Sequence, residues 1–113
     1  MNSKAKGKRG ELKWAKFCRE HGYEVRRTAQ YCGNTGDASD CVGLPRIHIE
    51  VKRTERLNLY DAMAQATHDS MGKNIPIVAH RRNRSEWLVI QRAVDWFDMY
   101  RTWEAGNGNS PQD

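Results

Sequence analysis

The stretch Ile47–Lys52, "IHIEVK", decides how this chain is read. Three β-branched residues, Ile47, Ile49 and Val51, alternate with His48, Glu50 and Lys52. Strict alternation over six residues predicts a strand with one apolar face. Its other face carries an acid and an amine two residues apart. Residues i and i+2 share a face and advance together by about 6–7 Å at Cα, so Glu50 and Lys52 project side by side.

Working outward, "DCV" (40–42) predicts a short strand and "GLPR" (43–46) a tight turn back into residues 47–53. Such a hairpin brings Asp40 alongside Glu50. Two adjacent carboxylates repel unless a cation lies between them. Mg²⁺ is held by one or two carboxylates, with water and substrate phosphate completing its shell. Lys52 would then be placed to contact a phosphate or an attacking water, and a nearby cation would lower its pKa. The competing reading is a solvated polar face on a one-sided sheet, with His48 as an exposed histidine. The hairpin aspartate, an earlier helical glutamate and the basic charge favour the site.

The remaining pattern predicts a helix from Gly10, with Leu12, Ala15 and Cys18 inward, Trp14 and Phe17 beside them, and Gly22 as terminator. Glu11 then falls in the first turn, where the helix dipole favours an acid. Residues 23–28 alternate as a strand and 29–39 are loop formers. Asn58 caps a second helix over 59–71, with Leu59, Ala62, Met63 and Ala66 inward. A buried strand follows over 75–80, parallel to 47–53, then a strand over 87–91. A third helix runs from Ala93 to about residue 103, bearing Trp96, Phe97, Tyr100 and Trp103 as core or as a dimer seam. The order is α-β-β-β-α-β-β-α, a mixed sheet flanked by helices of the α/β or α+β kind. Residues 1–9 read as a flexible basic arm, 10–103 as one domain and 104–113 as a disordered tail.

The 113 residues carry 19 Lys+Arg against 14 Asp+Glu, a formal charge of +5 that calls for an anionic partner, nucleic acid before membrane. No apolar run approaches a membrane span, and no apolar segment follows the basic N-terminus, so a secretory signal is not expected. Three cysteines without a CxxC pair fit reduced thiols in a cytoplasmic setting better than a zinc site. Basic residues gather in three places: Lys4, Lys6, Lys8 and Arg9 at the start, Arg26, Arg27, Arg53 and Arg56 beside the proposed site, and Arg81, Arg82 and Arg84 at a turn. They suit DNA-backbone contacts, and no base-reading helix is evident, which favours recognition of shape over sequence.

Across residues 4 to 100, "GKRGELKWAKFCREHGYEVRRT", "GDASDCVGLPRIHIEVKRTERLNLYDAMAQA" and "PIVAHRRNRSEWLVI" resemble the PD-(D/E)XK nucleases. Among them the likeness is to the archaeal-type Holliday junction resolvases and their small phage-encoded relatives. The resemblance implies a restriction-endonuclease-like fold and a homodimeric endonuclease, dependent on Mg²⁺ or Mn²⁺, that cuts branched DNA in the cytoplasm of a cell or a phage host. Residue by residue, it implies that Asp40 and Glu50 are the motif acids and Lys52 the motif lysine. Glu11 matches the early helical glutamate that helps hold the metal, and Gln65 a glutamine near the active centre. Cys32, before Gly33, stands where archaeal resolvases carry a functional serine. A nickase, a repair or restriction-like nuclease, or a non-catalytic DNA-binding module on the same fold, remain alternatives.

Overall fold

A computed structural model describes residues 3–28 and 39–107, with side chains from Lys6 onward. The elements are α1 (Ser3–Glu20), β1 (Arg26–Arg27), β2 (Cys41–Val42), β3 (Ile47–Lys52), α2 (Leu59–Asp69), β4 (Ile75–His80), β5 (Leu88–Gln91) and α3 (Ala93–Asn107). The five strands form one sheet in the order β1-β2-β3-β4-β5. β3 and β4 run parallel, joined through α2, and the other neighbours are antiparallel. This is the mixed α+β architecture expected.

The apolar residues of β3 lie against α1. Trp14, Ala15 and Cys18 bury themselves with Val25, Cys41, Ile49, Ile77 and Ala79, and Trp87 packs edge-on to Trp14 with ring centroids 5.2 Å apart. The opposite face is also covered. Ala62, Met63 and Ala66 of α2 pack on Val78, with Leu57 and Ile90 beside them. Asn58 caps α2 by accepting the Asp61 N–H.

Several expectations are corrected. The competing reading of a solvated face on a one-sided sheet is set aside, and His48, expected exposed, is not: α2 lies over the face that carries His48 and Glu50, and both are buried. The basic segment expected as an arm is helical from Ser3. Lysine, alanine and arginine are good helix formers, and extending an existing helix is far cheaper than nucleating one, so no apolar stripe is required there. Glu11 therefore sits in the third turn of α1 and not at its start, and dipole stabilisation does not explain it. Leu12 and Leu59, expected inward, are exposed. The α3 aromatics are not core: Trp96, Phe97, Tyr100 and Trp103 are all 40% exposed or more. α3 also continues to Asn107, past the expected tail boundary, because Glu104 and Ala105 propagate it.

α1 crosses β3 closely at Gly10, where a Cβ would stand 2.8 Å from Arg53 Cβ. Alanine at position 10 would gain about 1 kcal/mol of helix propensity, but overpacking costs about 1–3 kcal/mol. We expect Gly10→Ala to lower the chemical-denaturation midpoint. A raised midpoint would mean that α1 does not press on β3 there.

Candidate active site

Cys41 pairs with Ile49 across β2 and β3, which brings Asp40 level with the Ile49–Val51 stretch. The ladder is irregular at this point and side chains complete it. Asp40 N–H donates to the Ile49 carbonyl at 2.7 Å. Ser39 Oγ accepts the Ile49 N–H at 2.8 Å and donates to the Cys41 carbonyl at 2.7 Å. Asp40 Oδ2 accepts the Val51 N–H at 2.8 Å. Asp40 is thus tied at its backbone and at one carboxylate oxygen to the strand that bears Glu50 and Lys52.

Burial raises the Asp40 pKa to about 7, and the nearby Glu50 carboxylate adds to the rise. The Val51 hydrogen bond opposes the rise, Glu11 adds to it and Lys52 opposes it. All three charged neighbours expected from the sequence therefore lie within electrostatic reach of Asp40. Glu50 is 4% exposed, and its Oε2 lies 2.8 Å from Nε2 of His48, which is 1% exposed. His48, expected as an exposed histidine, is instead a buried partner of the motif acid. Alternation along β3 correctly places it beside Glu50, but the lid that buries it comes from α2, whose packing a strand pattern cannot show.

Glu11 is near the pair yet engaged elsewhere: its Oε1 accepts Arg27 Nε–H at 2.6 Å. Among the described residues, no group of three or more Asp, Glu, His or Cys is gathered as a metal cage. The two acids nevertheless fit a divalent cation by chemistry, since the hairpin sets two oxygen-donor side chains level with each other, and Asp40, its pKa raised first by burial and then by Glu50, lacks a compensating positive charge. Gln65 is exposed on α2, and no hydrogen bond among the described residues ties it to the acids. Ser39 is a residue that sequence reading missed; its position directly before Asp40 in a turn-rich run is the available signal.

The basic residues divide by role. Arg27 is held by Glu11. Arg53 reaches the Arg81 carbonyl at 3.3 Å and Asn83 Oδ1 at 2.9 Å, bracing the end of β3 to the β4–β5 turn. Arg81 donates from Nε to the Ser85 carbonyl at 2.7 Å and lies over the Trp87 ring. Lys6, Lys8, Arg9, Arg26, Arg56, Arg82 and Arg84 are exposed, whereas the side chain of Lys4 lies outside the described residues. Lys6, Arg9, Gly10, Lys13, Arg53, Glu55 and Asn83 line an open basic cleft of about 310 Å³ where α1 meets β3. Cys32 and Gly33 lie outside the described residues. Cys18 and Cys41 are buried free thiols, and burial raises their pKa to about 11 and about 12, so both stay protonated at neutral pH.

A mixed five-stranded sheet flanked by helices, with Asp40 set level with Glu50 at a hairpin, is a restriction-endonuclease-like fold. Among solved structures the chain is similar to Hjc of Archaeoglobus fulgidus, a Holliday junction resolvase from an archaeal hyperthermophile. Their identity is 25%, the match covers 76% of this chain and 72% of Hjc, and the TM-score is 0.57. No protein-family model matches the chain. No curated protein matches it by sequence.

The raised Asp40 pKa has a definite sign. In the unfolded chain the group titrates near its ordinary value of 3.8, against about 7 when folded. The protonated folded form is therefore favoured below the unfolded value, and that contribution is lost as pH rises through about 7. Asp40→Asn keeps an acceptor for Val51 N–H and removes the charge. Without divalent cations, thermal melts should show the variant gaining on the parent by several degrees at pH 8 and little at pH 4. An equal effect at both pH values would contradict the buried acid pair.

Proposed function

We propose that this chain is a metal-dependent endonuclease for branched DNA, of the Holliday junction resolvase type, acting as a homodimer. The observation that carries the reading is the Asp40–Glu50 pair, held by the hairpin beside Lys52 in a fold shared with Hjc.

Asp40 and Glu50 would hold Mg²⁺ or Mn²⁺, which when bound supplies Lewis-acid stabilisation of charge on a phosphate and a more acidic water. Lys52, half-buried at the end of β3, is the residue of this chain placed to meet the scissile phosphate or to take a proton from the nucleophile. Glu11 contributes negative charge from α1 while Arg27 fixes its position. The exposed cations of α1 and of the β4–β5 turn flank this end of the sheet and suit phosphate contacts that carry no sequence information. Gln65, exposed on α2, would have to meet DNA directly to take part.

The dimer seam we assign to α3. Its aromatics form a contiguous row, with ring centroids 5.0 Å apart for Trp96–Phe97, 5.2 Å for Trp96–Tyr100 and 5.7 Å for Tyr100–Trp103. Aromatic side chains bury about 150–250 Å² each, so four half-exposed rings offer roughly 400 Å², about half of what one partner contributes to a standard interface. The helix carries Asp95, Asp98 and Glu104 against Arg101 alone, an acidic balance that disfavours DNA on this face. Phe97→Glu together with Trp103→Glu should convert a dimer into a monomer by multi-angle light scattering, with the far-ultraviolet circular dichroism unchanged. A parent chain that is already monomeric at micromolar concentration would refute the seam.

For the activity, a synthetic four-way junction and a matched linear duplex should be incubated with Mg²⁺. We expect paired cuts in opposing strands of the junction, a fall of at least about 10²-fold for Asp40→Asn and Lys52→Arg, and retained junction binding by Asp40→Asn. Equal cutting of the linear duplex would point to another nuclease on this fold. Binding without metal-dependent cutting by the parent chain would point to a non-catalytic DNA-binding module.

A further inference from the structure

The structure points to a role for a residue outside the acid-acid-lysine set. We propose that His48 is a positioning residue for Glu50: its imidazole holds one carboxylate oxygen and leaves the other for the cation that Glu50 shares with Asp40. This inference rests on the reading of Asp40 and Glu50 as cation ligands.

Strand geometry brings the two side chains together. His48 and Glu50 are two apart on β3, so their side chains leave the same face of the sheet about 6–7 Å apart at Cα, within the combined reach of an imidazole and a glutamate. Nε2 of His48 is 2.8 Å from Oε2 of Glu50. When Glu50 is ionised it only accepts, and Nε2 of His48 is then the donor of this bond.

The surroundings make the bond count. On β4, Pro76 lies level with His48 and Val78 level with Glu50, and neither side chain offers a polar group. Above them α2 presents Ala62, Met63 and Ala66. A glutamate in that setting would otherwise be buried against hydrocarbon, where an ionised carboxylate is costly unless hydrogen-bonded. At 2.8 Å the imidazole holds one carboxylate oxygen and so favours one rotamer of the Glu50 side chain. Hydrogen-bonded partners of this kind, behind metal-ligating groups, alter metal affinity by about 10–100-fold when removed.

A histidine that merely filled space would leave cation affinity unchanged when replaced by an apolar residue of similar size. Mn²⁺ alone should therefore be titrated into the full chain, with free Mn²⁺ followed by electron paramagnetic resonance. The proteins compared are the parent, Glu50→Gln, His48→Met and His48→Gln. We expect Glu50→Gln to lose binding, His48→Met to weaken it about 10–100-fold, and His48→Gln, which keeps an N–H donor, to recover most of it. Parent-like affinity in His48→Met, with binding lost in Glu50→Gln, would overturn the positioning role and leave the acid pair standing. Parent-like affinity in Glu50→Gln, or no binding by the parent, would overturn the acid pair itself and this inference with it.

Should His48→Met not fold, the parent chain decides the matter by nuclear magnetic resonance of ¹⁵N-labelled histidine during a Mg²⁺ titration. The His48 Nε2–H signal should move with the same midpoint as the Asp40 and Glu50 carboxyl carbons. A signal that stays fixed while those carbons titrate would overturn the proposal.

Discussion

The hydrogen bonds that Ser39 and Asp40 make to the backbone of β3 are the constraint on which the site depends. β2 has only two ladder residues, too few to fix a hairpin register by main-chain pairing alone. Ser39 Oγ and Asp40 Oδ2 take the N–H groups of Ile49 and Val51 and complete the ladder with side chains. The aspartate that defines the acid pair is thereby also one of the fasteners that keep it in register. A slip of β3 by one residue would turn Glu50 and Lys52 toward α1 and put Ile49 and Val51 under α2.

Both helical layers follow from the same strand. Ile49 and its apolar neighbours anchor α1, which carries Glu11 to Arg27 and sets the basic N-terminal turns beside the end of β3. On the other face α2 closes over His48 and Glu50 and makes the medium around them poorly polarisable. The chemistry ascribed to Asp40 and Glu50 needs that medium, because charge interactions strengthen where water is excluded. The cost is carried by Asp40, whose pKa is raised to about 7, first by burial and then by Glu50.

Local patterns made much of this legible. The alternation of residues 47–52 gave β3, the short turn at 43–46 gave the antiparallel partner, and β4 was readable from "IPIVAH". The Asp40–Glu50 neighbourhood followed from those two elements alone. What escaped depends on contacts between elements far apart in sequence. His48 looks polar and exposed until α2 covers it, and Leu12 and Leu59 look apolar and inward until the helices choose their faces. The extension of α1 to Ser3 carries no apolar signal, because it rests on propensity and on continuity with a packed helix. The aromatics of α3 satisfy the local rules for a core helix, and only the assembled domain shows that they stay half-exposed among the described residues.

The proposed chemistry requires that the two carboxylates share a cation. Crystals of the chain soaked in Mn²⁺ and measured at a wavelength where manganese scatters anomalously would answer this directly. A peak bridging the side chains of Asp40 and Glu50 is expected. Manganese bound elsewhere in the lattice, with the two acids bare, would contradict it.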